Sequence, residues 1–237
     1  MNHSRSSALI LGLCIAIGLS LAGYFLAGGL MQIKAAQRFV TVKGLAEREV
    51  KADLAIWPIT FTATAGQLPE LQQSIASSDR TIVNFLKEQG FADDEIGRSV
   101  PQITDYQAQG YGGDRPPSAR YSGRVTVTVH TRKVMELKKA MAQSGKLVAA
   151  GVALSQDYGA MPQFSFTGLN SIKPEMIAEA TQNARKAAGQ FAKDSGSSVG
   201  SIRRATQGLF SINNRDANTP EIKKVRVVTT IDYFLQD

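Results

Sequence analysis

The alternation of apolar and polar residues along the chain predicts several β-strands. It is strictest in residues 125–129, where valine and threonine take turns, the period of a strand with one buried face. A second alternation covers 39–43 and ends at Gly44, and a third covers 54–65. Pro58 lies within the third, and proline cannot donate to a sheet ladder, so it predicts an edge position or a bulge there. Weaker strand patterns occupy residues 96–106, 147–154, 162–166, from 199, and 225–234.

Three stretches with apolar residues on one helical face predict α-helices. The first runs from Pro69 to Gly90, the second over 133–143, and the third from Pro174 to about 194. Proline suits the first turn of a helix, and glycine suits the residue just past its end. The residues predicted to face inward are Leu71, Ile75, Ile82, Phe85 and Leu86; Val134, Leu137 and Met141; and Ile177, Ala180, Ala184, Ala187, Ala188 and Phe191.

About three helices among seven or eight strands, several of them in direct succession, predict an α+β fold with mainly antiparallel pairing. A helix–glycine–strand order occurs in 69–96 and again in 174–202. Two interpretations stay open at this point. The two segments are related units packed as equivalents, or they are simply two capped amphipathic helices.

The N-terminal segment predicts a membrane anchor. No charged residue occurs between residues 6 and 33, and 8–31 is almost wholly apolar. About 24 helical residues span ~36 Å, more than the ~30 Å hydrocarbon core of a bilayer. We therefore expect a short tail over 1–7, a transmembrane signal anchor over 8–33 and a folded α+β domain over 39–236. Small residues at 27–29 leave cleavage as the alternative.

Charge and composition narrow the class of function. The formal net charge is +7, but Arg5, Lys34 and Arg38 flank the apolar segment. The other basic clusters, at 203–204 and 223–226, are short and are expected to be solvated strand faces, so we expect no nucleic-acid partner. The single cysteine lies inside the apolar segment. The domain therefore has no disulfide, thiolate nucleophile or cysteine-based metal site.

The motifs that could carry chemistry are each better explained as structure. Residues 196–200 match G-x-S-x-G, but here a helix precedes the serine and a strand follows, the reverse of a nucleophile elbow, and no histidine follows His130. His130 itself predicts an exposed strand end. Residues 93–95 predict a solvated acidic turn, and Gly110–Pro117 predicts a contact loop or a mobile connection. We expect no enzyme activity and no catalytic, cofactor-binding or metal-binding residues.

Three stretches carry a resemblance to a known family: the motif Val40–Gly44, Val50–Ala55 and the alanine-rich stretch 180–187 with the glycines that follow. Through these motifs residues 39–236 resemble the SIMPL-domain family, named for a signalling molecule that associates with a Pelle-like kinase. Ala52 stands where many relatives carry proline. The family has no established catalytic residues. The resemblance implies an α/β sandwich, export from the cytoplasm, a role in stress defence and, in some members, assembly into ring-like oligomers.

The orientation of the anchor follows from this resemblance rather than from charge. The positive-inside rule alone would place the C-terminal domain in the cytoplasm, since more basic residues follow the apolar segment than precede it. The very short tail and the exported relatives favour the opposite. We expect a single-pass protein of the inner (cytoplasmic) membrane with its C-terminal domain in the periplasm.

The leading hypothesis is a non-enzymatic, membrane-anchored extracytoplasmic protein that self-assembles and contributes to envelope or oxidative stress defence. The strand containing Pro58 and the strand 125–129 are the expected assembly edges, and the expected partners are the membrane and further copies of the chain. The alternative is a periplasmic binding module for a small molecule or envelope polymer. It would use Gly110–Pro117 and the basic face near Arg203. A hydrolase with an unorthodox site is the third and most distant possibility.

Overall fold

A computed structural model describes residues 12, 15–25, 38–108, 119–155 and 161–236. In this part of the chain the fold is α+β with antiparallel sheets, as the sequence predicts, but with four helices after residue 38 rather than three. In chain order the elements are α1 (15–25), β1 (Phe39–Lys51), β2 (Leu54–Ala65), α2 (Leu68–Glu88), a 3-10 turn (Asp93–Glu95), β3 (Ile96–Arg98), β4 (Gln102–Asp105), β5 (Tyr121–Thr131), α3 (Val134–Ala142), α4 (Gly145–Ala149), β6 (Gln163–Ser165), α5 (Leu169–Asp194), β7 (Ser198–Gln207), β8 (Ser211–Asn214) and β9 (Ile222–Gln236).

The chain divides into two compact units. Unit 1 holds the described residues of 1–47, 173–211 and 226–237, and unit 2 holds those of 48–172 and 212–225. One sheet has the strand order β1-β9-β7, with β8 also paired to β9, and the other has the order β3-β5-β2-β6, with β4 also paired to β5.

The core of unit 2 lies between α2 and the paired strands β2 and β5. These two strands are antiparallel and in register from Ala55 opposite Thr131 to Ala65 opposite Tyr121. Trp57 and Phe61 are buried there, and so are the three valines of β5. The predicted inward face of α2 is buried as well. Its buried residues are Leu71, Ile75, Ile82, Val83, Phe85 and Leu86.

The bulge predicted as one alternative at Pro58 is not observed, and the two predicted assembly edges are wrong. Both β2 and β5 have neighbours on each side, and the β2–β5 register is unbroken. Thr60 and Thr62 bond to residues 155 and 153 on the side of β2 away from β5. By the period of two, the nitrogen of Pro58 faces that side too, so its ring removes no bond to β5. It lies past the end of the β6 pairing, which reaches Ile56.

In unit 1 the residues of α5 pack against the sheet through alanines. Ala184 and Ala188 form a core with Val40, Ile231 and Tyr233. The prediction that β1 ends at Gly44 is wrong, because the strand continues through this residue. Gly44 allows the helix backbone to approach, since a Cβ atom there would stand 1.8 Å from the carbonyl oxygen of Ala180.

The bounds and inward face of α5 also differ from the prediction. The helix begins at Leu169, five residues before Pro174, because its first turn is fixed from a distant part of unit 2. The carboxylate of Asp53 accepts the N–H groups of Thr167 and Gly168 at 2.7 and 3.1 Å. The buried positions recur every four residues, so the predicted inward Ala187 and Phe191 are exposed instead. The buried residues of α5 are Met176, Ala180, Ala184, Ala188 and Ala192.

Two further strand predictions are wrong in detail. Residues 147–154 begin in α4, since a short apolar run fits a helix as well as a strand, and only Leu154 forms a bridge, to Phe61. Residues 96–106 form the two short strands β3 and β4, with Pro101 between them.

The two helix–glycine–strand segments agree in backbone but not in burial. Gly90 and Gly196 both have positive φ after their helices, +90° and +67°. The matching side chains differ, however: Phe85 is buried and Phe191 is 53% exposed.

The predicted anchor falls only partly on residues that the structure describes. Residues 15–25 are helical. Among the described residues no helix combines the length and the apolar character needed to cross a membrane.

Candidate functional site

A cleft of about 450 Å³ opens in unit 2 at the end of β5. It lies between the 3-10 turn, the residues that follow β5 and the loop before α5. The lining of the cleft includes carboxylates as well as basic groups. Its lining residues are Leu54, Asp94, Glu95, His130, Thr131, Arg132, Lys133 and Thr167.

Glu95 is the centre of a hydrogen-bond network on one wall of this cleft. Its carboxylate accepts from the Thr131 hydroxyl, from Lys133 Nζ at 2.9 Å and from the backbone N–H of Ala92 at 2.9 Å. Lys133 Nζ also donates to the carbonyl oxygen of Gly90 at 2.9 Å. The network therefore joins the end of α2, the 3-10 turn and β5. The expectation of a merely solvated acidic turn is wrong for Glu95, whose side chain is only 17% exposed.

The same contacts keep Glu95 ionised. Burial acts to raise the pKa of this carboxyl, but the hydrogen bonds from Thr131, Ala92 and Lys133 outweigh it and lower the pKa to about 2. A general acid or base at neutral pH needs a pKa near the working pH. Glu95 is therefore suited to holding charge and shape, and poorly suited to moving protons.

The rim of the cleft carries His130 and Arg132. Both side chains are exposed, and buried Thr131 lies between them in the sequence, which is the alternation expected at the end of a strand. The prediction of an exposed strand-end histidine is confirmed. An imidazole and a guanidinium at one mouth, with Asp94 on the same lining, offer donors and charge to a polar ligand.

The opposite wall is fixed by Asp53. Besides the two N–H groups before α5, its carboxylate accepts the Thr167 hydroxyl at 3.0 Å. Sequence reasoning did not single out Asp53 or Glu95, since the partners of each are distant in the sequence. The one available signal was the position of Asp53 within the resemblance motif 50–55.

A second polar cluster in unit 2 is also structural. Glu221 is 8% exposed and pairs with Lys138. Lys223 is 7% exposed and donates to Asn214, so the prediction of a solvated basic face at 223–226 is wrong for this residue. Burial lowers the pKa of Lys223.

The G-x-S-x-G match has the geometry that the sequence predicts. Helix α5 ends at Asp194, Gly196 turns the chain with positive φ, and Ser198 begins β7. The Ser198 hydroxyl is exposed and donates to the carbonyl oxygen of Gln236 at 3.3 Å. This is a helix C-terminal turn.

Two further predictions concern what a site would contain. Gly110–Pro117, predicted as a contact or mobile loop, lies outside the described residues. In the part of the chain that is described, no group of three or more His, Cys, Asp or Glu side chains is placed to hold a metal ion.

Comparison with known proteins identifies the family. The family model for SIMPL, described as a protein of unknown function (DUF541), matches residues 40–230. The chain belongs to the SIMPL family. The match confirms the resemblance that the motifs of β1 and α5 carry.

Other comparisons add little to this SIMPL chain. Among solved structures it is similar to the ligand-free regulatory subunit of aspartate kinase from Thermus thermophilus, at 19% identity. That alignment covers 80% of this chain and 87% of the other, with a TM-score of 0.22. No curated protein matches the chain.

Proposed function

We propose that this SIMPL protein is a non-enzymatic, membrane-anchored module outside the cytoplasm that self-assembles and contributes to envelope or oxidative stress defence. The observation that carries the anchor is the exposure of α1, in which Leu19 is 70% and Phe25 73% exposed. An exposed apolar helix is favourable only where something covers it. The charge-free run over 8–33 makes lipid the fitting environment.

Self-assembly is supported by the exposed edge of the sheet in unit 1. Strand β7 is ten residues long, ends the order β1-β9-β7, and is exposed or half-buried at every position. A strand edge presents N–H and C=O groups that can pair with another chain. The edge replaces the interior strands β2 and β5 as the candidate contact.

The absence of catalysis is supported by how the described polar groups are used. Glu95 is held ionised by its three donors, and the surroundings of Ser198 are those of a turn. The stress-defence role rests on the resemblance to bacterial members of the family.

The anchor and its orientation are tested in cells with the full chain carrying Cys14→Ala and Asn213→Cys. Asn213 is exposed in β8. We expect the protein to resist carbonate extraction, and the new cysteine to react with a membrane-impermeant maleimide in intact spheroplasts. The unmodified chain, whose only cysteine is Cys14 in the apolar segment, is the control and should react only in detergent. Extraction by carbonate would contradict the anchor, and labelling only after lysis would contradict the orientation.

A binding module for a small molecule or envelope polymer is the second candidate, and the cleft beside His130 favours it. Native mass spectrometry of the purified full chain tests it. A bound species that is lost in the variant Arg132→Ala, just after β5, but kept in Arg124→Ala within β5, would support this function over assembly alone.

A further inference from the structure

The start of β1 is held close to the membrane by the length of the chain before it. If 8–33 spans the bilayer, which is the anchoring proposed above, only four residues separate Ile33 from Arg38. The five Cα–Cα steps between these two residues extend at most about 18 Å in any conformation. The headgroup layer on each side of a bilayer is itself about 5–8 Å thick. The end of unit 1 at Arg38 must therefore lie at or near the lipid headgroups.

Four elements of unit 1 meet at this end. The carbonyl oxygen of Arg38 accepts the N–H of Leu235 in β9 at 2.9 Å. Its guanidinium donates to the hydroxyl of Ser197, just before β7, at 3.5 Å. The N–H of Ser197 in turn donates to the carbonyl oxygen of Ala192, in the last turn of α5, at 2.8 Å.

The open face of the sheet carries an aromatic–arginine pair here. Phe39 is 42% exposed, and the guanidinium carbon of Arg203 lies 4.1 Å from the centre of its ring. The β7–β9 register shifts between Ile202 and Arg204. Consecutive residues of a regular strand face opposite sides of the sheet, but this irregularity allows Arg203 and Arg204 to face the same side.

The second arginine can be placed through its partner strand. Arg204 lies opposite Asp232, whose carboxylate accepts the hydroxyl of Thr41 in β1 at 2.7 Å. Thr41 and Phe39 are two residues apart in β1 and so share a face of the sheet. Phe39, Arg203 and Arg204 therefore belong to one exposed surface.

The chemistry of this surface matches that of a lipid headgroup layer. A guanidinium that stacks on a ring through its flat face keeps its N–H groups at the edge, where they can bind phosphate. At the same end, but on the side of the sheet that α5 covers, Phe191 is 53% exposed and Lys193 is exposed. Two carboxylates, Asp194 and Asp232, lie at the same end and accept hydrogen bonds from Gln190 and Thr41.

We propose that Arg38, Phe39, Arg203 and Arg204 form a docking surface for anionic phospholipid headgroups, which holds unit 1 against the membrane that anchors the chain. The headgroup phosphates bind at the guanidinium edges, and the Phe39 ring lies at the depth of the headgroups. Docking restricts unit 1 to one orientation, which leaves the farther end of β7 away from the bilayer.

The test uses the full chain in vesicles, with a fluorophore at one of two positions on β7. In a Cys14→Ala background the label is placed on Ser201→Cys, at the docking end, or on Gln207→Cys, the matched control roughly 20 Å farther along the strand. The vesicles are phosphatidylcholine with or without phosphatidylglycerol, and a nitroxide on the lipid headgroups quenches nearby fluorophores. Flotation of the vesicles reports the anchor separately.

We expect stronger quenching of the label at Ser201→Cys than at Gln207→Cys when phosphatidylglycerol is present. This difference in quenching should decrease at high salt. Arg203→Gln should weaken docking about fivefold, the effect of one basic residue near an anionic surface. Arg203→Lys should retain most of it. Melting temperatures of the labelled variants report whether each one folds.

Each other outcome has one meaning. Protein that floats but is quenched equally at both positions, or equally without the anionic lipid, overturns the docking surface alone. Protein that does not float overturns the anchor and the docking with it. If the labels at Ser201→Cys on neighbouring copies contact each other and are not quenched by the lipid, a second copy of the chain occupies the docking surface instead of lipid.

Discussion

Gly44 of β1 lies directly beneath Ala180 of α5. A Cβ atom at Gly44 would stand 1.8 Å from the carbonyl oxygen of Ala180 and 2.5 Å from the backbone nitrogen of Ala184. Both of these are backbone atoms, so they cannot move aside as a side chain would. The close approach of helix and sheet in unit 1 thus depends on one hydrogen atom at position 44.

Gly44→Ala should therefore destabilise the protein by about 2–3 kcal/mol or more, since overpacking a rigid contact forces the backbone apart. The matched control is Gly189→Ala in the same helix, where a Cβ atom would meet nothing within 4 Å. That change should stabilise by about 0.5–1 kcal/mol, because alanine loses less entropy in a helix. Urea unfolding of the full chain, followed by circular dichroism, measures both. Equal stability of the two variants would refute the close contact.

Glu95→Gln should lower stability at neutral pH because it removes the charge that Thr131, Lys133 and Ala92 surround. The folded pKa is about 2 against an ordinary value of 4.5. A depressed carboxyl pKa stabilises the fold above the unfolded value and loses this effect as the pH falls through the folded value. The difference between wild type and variant should thus be full above about pH 4.5 and vanish towards pH 2.

The size of this effect at pH 7 should be about 1–3 kcal/mol, the range for leaving partly buried partners unsatisfied. Asp94→Asn is the matched control, since Asp94 is an exposed carboxylate in the same turn. It should change stability by less than about 0.5 kcal/mol. Urea unfolding across the pH range measures both variants. A pH-independent loss in Glu95→Gln would mean that shape, not charge, matters at this position.

The elements that the sequence predicts correctly are those determined by residues close together in the chain, and the errors fall where distant residues determine the structure. Strand β2 has the predicted bounds, 54–65, and α2 differs by one or two residues, because periodicity and local breakers determine both. The start of α5 could not be predicted, since the carboxylate that fixes it, Asp53, lies 114 residues before Thr167. Gly44 was misinterpreted for the same reason. From the neighbouring residues alone, a glycine predicts the end of a strand. The presence of Gly44 inside β1 is explained only by the close approach of α5.

The cleft shows a similar division. His130 was correctly expected at an exposed strand end, since the alternation in β5 determines which way it points. Glu95 was not separated from its acidic neighbours, because Thr131 at the end of β5 and Lys133 just before α3 are distant from it in the sequence. In the described residues Pro58 faces a side of β2 without a paired strand, although β2 itself is interior in the sheet order, so the predicted edge is local to Pro58. Its nitrogen lies beyond the β6 pairing, and the arrangement of neighbouring strands cannot be read from one strand alone.

Ser198 should be chemically inert. Ser198 is the first residue of β7 and follows helix α5, and its hydroxyl donates to a backbone carbonyl. Nothing in this arrangement raises the nucleophilicity of the hydroxyl. Ser198→Ala should change stability by less than about 0.5 kcal/mol. A fluorophosphonate probe should label Ser198 no more than Ser201, another exposed serine on β7. Selective, stoichiometric labelling at Ser198 would count decisively against the non-enzymatic proposal.

The edge of β7 allows a test of assembly that leaves the fold intact. The N–H of Gly208 donates to the carbonyl oxygen of Val228 in β9 at 2.8 Å. In an antiparallel ladder the bonded residues alternate, so Thr206 also bonds to β9, while the N–H of Ala205 points to the open edge. Proline is tolerated in a strand only where its missing N–H faces outward. Ala205→Pro therefore removes an edge donor, and Thr206→Pro removes a ladder bond.

If copies of the chain pair through this edge, Ala205→Pro should reduce cross-linking between copies in the membrane while the melting temperature stays near that of wild type. Thr206→Pro, one residue away, should lower the melting temperature, because it breaks the pairing with β9 and removes a bond whose loss costs about 1–3 kcal/mol. Confinement of all copies to one bilayer raises their effective concentration, so the measurement belongs in membranes rather than in dilute detergent. Cross-linking that persists unchanged in Ala205→Pro would exclude this edge. A chain that shows none even as wild type would exclude self-assembly, and the cleft beside His130 would then become the better guide to function.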